Sequence, residues 1–155
     1  MKKSIFNILI LLSVFSLTFV ACSKDDENET PGTSGKYELV INGNTISKGT
    51  SNEIGMAGNE ISISKGDEFS ILITSVPGTV GNTIDIGTNY ASVTILGENL
   101  LLSDGSTEMY VGVSGTIKRV SADKITFEGT CADATLLKSY SFSGSVESDV
   151  YKMIK

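Results

Sequence analysis

Glu60-Ile61-Ser62-Ile63-Ser64-Lys65-Gly66-Asp67-Glu68-Phe69-Ser70-Ile71-Leu72-Ile73-Thr74 is the stretch that sets the fold class. Apolar and polar residues alternate from Glu60 to Ser64, the period of a strand with one face buried. Lys65-Gly66-Asp67 turns the chain, and Glu68 to Thr74 runs back with Phe69, Ile71 and Ile73 on one face. Two alternating runs around a short glycine turn predict an antiparallel hairpin.

The same grammar extends in both directions. Upstream, Tyr37, Leu39 and Ile41 alternate with Glu38, Val40 and Asn42. Asn42-Gly43 is a tight-turn pair, and Thr45 to Ser47 returns. Asn52 to Ala57 reads as a short strand, followed by a turn at Gly58-Asn59. Downstream, Ser75 to Thr83 carries Pro77, Gly78 and Gly81 and reads as a loop. Short strands are expected at Ile84 to Ile86 and Tyr90 to Leu96, with a turn at Gly97-Glu98. Asn99 to Ser103 is expected to continue as strand, Asp104-Gly105 to turn, and Thr107 to Val113 to follow. No helical apolar period occurs in this region.

The last third contains a weak repeat: Val113-Ser114-Gly115-Thr116-Ile117, Phe127-Glu128-Gly129-Thr130-Cys131 and Phe142-Ser143-Gly144-Ser145-Val146. In each, a large apolar residue precedes a glycine by two positions, so both face one side of a strand. The glycine makes room for a neighbouring ring or lets the sheet bend sharply. Ser121-Ala122-Asp123 and Ala132 to Thr135 are the expected connections. About ten closely spaced strands predict an all-β antiparallel meander, forming a β-sandwich or a small barrel-like fold. Phe69, Ile71, Ile73, Phe127 and Phe142 are the expected core.

The N-terminus follows different rules. Lys2 and Lys3 precede an almost wholly apolar run from Ile5 to Val20, closed by the small residue Ala21. That is the layout of a cleaved secretory signal, here residues 1–21. Residues 22–35 are polar, acidic at first and then rich in glycine, and read as a flexible tether. Residues 36–155 form the single domain. Loss of the signal leaves roughly 130 residues, enough for one core.

Ala21-Cys22 resembles the end of a bacterial lipobox, although Phe19 stands where leucine is usual. The resemblance implies that Cys22 receives a diacylglycerol and then an N-terminal acyl chain. Several chains give a stable membrane anchor where one gives only marginal binding. Ser23-Lys24-Asp25-Asp26-Glu27 looks like the export signal of surface lipoproteins in Bacteroidetes-type bacteria. The whole chain is similar to small lipoproteins of that group, with a lipobox, a β-meander and Gly-Thr or Gly-Ser strands. The resemblance implies a lipid-anchored protein on the outer membrane, facing the exterior. It implies no activity.

Composition narrows the chemistry. The chain has 12 Lys and Arg against 18 Asp and Glu, a net charge of −6. Loss of Lys2 and Lys3 with the signal makes the mature chain more acidic, which argues against nucleic acid as a partner. There is no histidine, which removes Ser-His-Asp and Cys-His catalysis and the usual zinc sites. There is no tryptophan, which weakens a sugar-stacking platform, though Tyr37, Tyr90, Tyr110, Tyr140 and Tyr151 remain available.

Cys131 reads as a small buried hydrophobe, since no histidine is present to activate it. Asp67 and Glu68 would point to opposite faces of a strand. Asp104 and Glu108 flank a turn and could converge as a carboxylate pair or as calcium ligands. The loop lacks the dense acids of a strong calcium site and reads as a solvated turn. The expectation is a binding module for a glycan, protein or envelope partner, without catalytic residues, metal or cofactor. The alternative is a lipocalin-like carrier of a small apolar ligand.

Overall fold

The computed structural model describes residues 33–66 and 68–149. The expected signal at residues 1–21, Cys22, Ser23 to Glu27, Asp67 and Tyr151 lie outside them. Nine strands are found among the described residues: β1 (Thr33–Ile41), β2 (Asn44–Ala57), β3 (Glu60–Lys65), β4 (Phe69–Thr74), β5 (Thr83–Asp85), β6 (Ser92–Glu98), β7 (Thr107–Arg119), β8 (Lys124–Asp133) and β9 (Ser139–Ser148). There is no α-helix among these residues, and none long and apolar enough to cross a membrane. The first strand begins at Thr33, inside the stretch whose composition reads as tether.

Every pairing is antiparallel, and the pairings return on themselves. The order β1-β2-β3-β4-β6-β7-β8-β9 closes where β9 pairs with β1. Short β5 lies beside the last part of β7, on the edge that β6 occupies near its start. The fold is therefore an eight-stranded up-and-down barrel, the closed form of the expected meander.

The core follows from alternation. Tyr37, Leu39 and Ile41 of β1, Ile61 and Ile63 of β3, and Phe69, Ile71 and Ile73 of β4 point inward and are buried. Phe127 and Phe142 meet at a ring separation of 5.8 Å, and Tyr37 meets Phe69 at 5.2 Å. Cys131 is fully buried within this cluster, as its sequence context predicts. The Asn42-Gly43 turn forms with φ of 53° and 76°.

The glycines of the repeat explain the shape. A Cβ on Gly144 would lie 2.3 Å from Cζ of Phe127, so the ring occupies the space that the missing side chain leaves. Gly115 and Gly129 are direct cross-strand partners with φ of 128° and 155°. A Cβ on either would sit 2.0 Å from a backbone oxygen of the other strand. Only glycine adopts this conformation without strain, and the paired strands bend there. The first copy departs from the pattern. Val113 is the extra residue of a β-bulge between Gly112 and Ser114, and it is exposed. The bulge reverses alternation, so Tyr110 points inward before it and Ile117 after it.

Three further expectations are corrected. Gly97-Glu98 is strand and not a turn. Gly97 faces inward, where a Cβ would lie 2.7 Å from the Glu68 carbonyl oxygen, so this glycine serves close approach. Asn99 to Ser103 is not a strand but a loop gathered around a carboxylate. Asn52 to Ala57 is not separate either: it belongs to β2, which runs unbroken from Asn44 and bends at two register shifts against β1.

Candidate functional site

The carboxylates that flank the 104–108 turn do not converge. Asp104 is exposed and accepts the Ser106 N–H at 3.0 Å. Glu108 turns into the end of the barrel and is 6% exposed. Its oxygens accept the Leu101 N–H at 3.1 Å, the Leu102 N–H at 2.9 Å and the Tyr110 hydroxyl. Glu108 thus holds the 99–106 loop and is engaged by donors on each oxygen. Desolvation, and then the hydrogen bond to Glu108, push the Tyr110 phenol well above its usual range. The opposite end is closed in the converse way. Buried Arg119 donates to the carbonyls of Gly78 at 2.5 Å and Ala122 at 3.1 Å. One long strand, β7, therefore carries an anion that satisfies loop amides at one end and a cation that satisfies loop carbonyls at the other.

Glu68, the other carboxylate considered, is exposed and pairs with Lys65 at 2.6 Å. Burial raises the Cys131 thiol above its ordinary pKa, which suits a core residue and not a nucleophile. Among the described residues, no three His, Cys, Asp or Glu side chains gather as a metal site. The tyrosines are dispersed. Tyr37 and Tyr110 are core, Tyr140 packs edge-on against Tyr110 at 5.6 Å, and Tyr90 stands alone at 96% exposure.

The arrangement with chemical content lies on the outer wall, where the glycines bend it. Strands β7, β8, β9 and β1 are consecutive in the ring, so their outward side chains fall into rows. Thr116, Glu128, Ser143 and Val40 stand side by side in one row. Lys118, Thr126, Ser145 and Glu38 form the next, and Ser114, Thr130 and Ser141 a third. Neighbours within a row are about 5 Å apart and rows about 7 Å apart, by sheet geometry. The surface is hollowed into two adjoining depressions of about 340 and 500 Å³ that share Val40, Thr116, Glu128 and Ser143. Gly115, Gly129 and Gly144 bring backbone to the floor, and Phe127 lies beneath Gly144.

This groove offers hydroxyls that both donate and accept, two carboxylates that accept, and the Lys118 ammonium that donates. Glu38 is partly neutralised by Lys48 at 3.3 Å, so the local charge is small. A separate cleft of about 370 Å³ opens on the opposite wall between Ile46, Phe69 and Leu100, rimmed by Glu68 and Glu98. It exists because β3 pairs with β2 only from Glu53 onward.

None of the groove residues is singled out by sequence spacing as a site. Their signal was present, since each hydroxyl alternates with a core residue and the three glycines of the repeat sit among them. What was missing is which strands become neighbours. No known protein-family model, curated protein or solved structure matches the chain.

Proposed function

We propose that the chain is a lipid-anchored surface module that binds its ligand in the groove over β7, β8, β9 and β1, without turnover. The groove is the observation that carries this reading. Among the described residues it is a concavity in which polar side chains from four adjacent strands converge on a single surface. Rigid strands hold those side chains, which favours a preformed binding site. Binding without chemistry is supported by the absence of histidine and by the engagement of Glu108 with loop amides.

The anchor belongs to the same reading. Cys22 is the acylated residue, and Ser23, Lys24, Asp25, Asp26 and Glu27 direct the protein to the outer face of the outer membrane. Cys22→Ala abolishes acyl labelling in cells if this holds. Replacement of Lys24 to Glu27 by alanine protects the protein from protease added outside. Retained labelling, or a parent already protected, contradicts it.

An eight-stranded ring is also the architecture of carriers for small apolar ligands. Against that reading, the inward positions are occupied by large side chains such as Leu39, Ile95, Ile117 and Phe127 that are almost fully buried. The full chain, screened with glycoside, ester and peptide substrates, should show no turnover. Thr116→Trp, which obstructs the groove, should remove ligand binding. Turnover that vanishes in Glu108→Gln refutes the non-catalytic part. Saturable uptake of a fluorescent fatty acid that Thr116→Trp leaves intact favours the carrier.

A further inference from the structure

Resting on that reading of the groove, we infer that its ligand is an uncharged oligosaccharide. The groove's chemistry selects this class. Thr116, Thr126, Ser141, Ser143 and Ser145 present hydroxyls from three adjacent strands. A hydroxyl can donate to one partner and accept from another, which is what a sugar hydroxyl also requires. Glu128 adds an acceptor for two such donors, and Lys118 a donor for a ring or ring-substituent oxygen.

The remaining surface suits the apolar faces of sugar rings. Val40 and the bare backbone at Gly115, Gly129 and Gly144 line the floor, with no tyrosine among the lining residues. Other classes fit less well. An anionic polymer would meet Glu38 and Glu128, whose charges Lys48 and Lys118 offset without leaving a net positive surface. An apolar ligand would strip water from five hydroxyls without replacing their partners. An extended peptide pairs through a sheet edge, and the groove lies on the face of four strands that are already paired.

The geometry sets the affinity. Phe127 and Phe142 line the groove from within the core and are almost fully buried, so binding rests on hydrogen bonds that each contribute modestly, and a Kd of about 1 mM is expected. The length of the groove, spanning three rows, favours several sugar units over one.

The full-length chain in detergent micelles should be titrated calorimetrically with neutral hexasaccharides: β-1,4-glucan, β-1,3-glucan, α-1,6-mannan and β-1,4-xylan. Oligogalacturonate is the anionic comparison. At least one neutral hexasaccharide should bind, and more tightly than oligogalacturonate. Thr126→Val combined with Ser143→Ala removes two hydroxyls with little change of shape and should weaken that binding at least tenfold. Ser62→Ala, on the opposite wall, should not. Unchanged melting temperatures separate lost contacts from lost fold. Absence of neutral binding up to 20-fold above the expected Kd overturns the carbohydrate assignment. Binding that both hydroxyl substitutions leave unchanged places the sugar elsewhere and overturns the groove as its site. Preference for oligogalacturonate that the double variant abolishes leaves the groove as the binding surface and refutes only the uncharged class.

Discussion

Replacing Gly144 by alanine tests how the barrel is packed. The new methyl carbon would lie 2.3 Å from Phe127 Cζ and 2.6 Å from the Glu38 carbonyl oxygen. Ordinary carbon contacts are about 3.5–4.0 Å, so the ring would have to withdraw by more than 1 Å. It cannot do so freely, because Phe142 packs against it at 5.8 Å. The Glu38 oxygen belongs to the β1 ladder and is held by Ser145 pairing. Overpacking of this kind costs about 3 kcal/mol at the upper end of its range. The lower entropy of the unfolded alanine chain returns about 1 kcal/mol. The net expectation is a loss of about 2 kcal/mol, read from urea denaturation followed by far-UV circular dichroism. Phe127→Leu shortens the obstructing side chain. In that background Gly144→Ala should cost at least about 1 kcal/mol less, a coupling typical of residues in contact. Rescue should be partial, since the clash with the Glu38 oxygen remains. A Gly144→Ala protein within 0.5 kcal/mol of its parent, or strict additivity of the pair, would refute the packing argument.

Other parts of the structure make separate demands. Glu108→Gln replaces a carboxylate that receives loop amides with a group that has one acceptor oxygen. It should lower stability by about 2 kcal/mol and speed hydrogen exchange at Leu101 and Leu102. Cys131, buried with a raised pKa, should resist iodoacetamide at pH 8 in the native protein and react rapidly in urea. The unfolded thiol releases its proton first. Its contribution to stability is therefore complete below the ordinary thiol range, near 8.5, and is lost as the pH rises above it. The alkaline slope of stability should be smaller in Cys131→Ala, although Tyr110, whose pKa is also raised, adds to it in both proteins.

Much of the fold could be read from alternation alone. Ile61 to Ile73 formed the expected hairpin, and Phe69, Phe127 and Phe142 are buried as their runs predict. The readings that differ share a cause. Glycine in a β protein marks either a turn or a close approach, and residue type does not distinguish them. Gly105 turns the chain with φ of 81°, whereas Gly97 sits within β6, one residue from its end, against the Glu68 carbonyl. Bulges are equally silent: the repeat puts Val113 on one face with Gly115, whereas it is the extra, exposed residue of a bulge. The groove depended on strand adjacency, which the register of distant segments decides. Ser143 meets Val40 across more than a hundred residues of chain, a contact that no local pattern encodes.

The claim that the bent wall of β7, β8, β9 and β1 is the binding surface can be tested directly by nuclear magnetic resonance. The isotope-labelled full chain in detergent micelles would be titrated with the tightest-binding neutral hexasaccharide. Signals of Val40, Thr116, Thr126 and Ser143 should move together and saturate with one Kd. Those of Ile46, Phe69 and Leu100 at the opposite cleft, and of Ile71 in the core, should stay in place. Shifts confined to the cleft or the core residues, with the groove signals unmoved, would contradict the account.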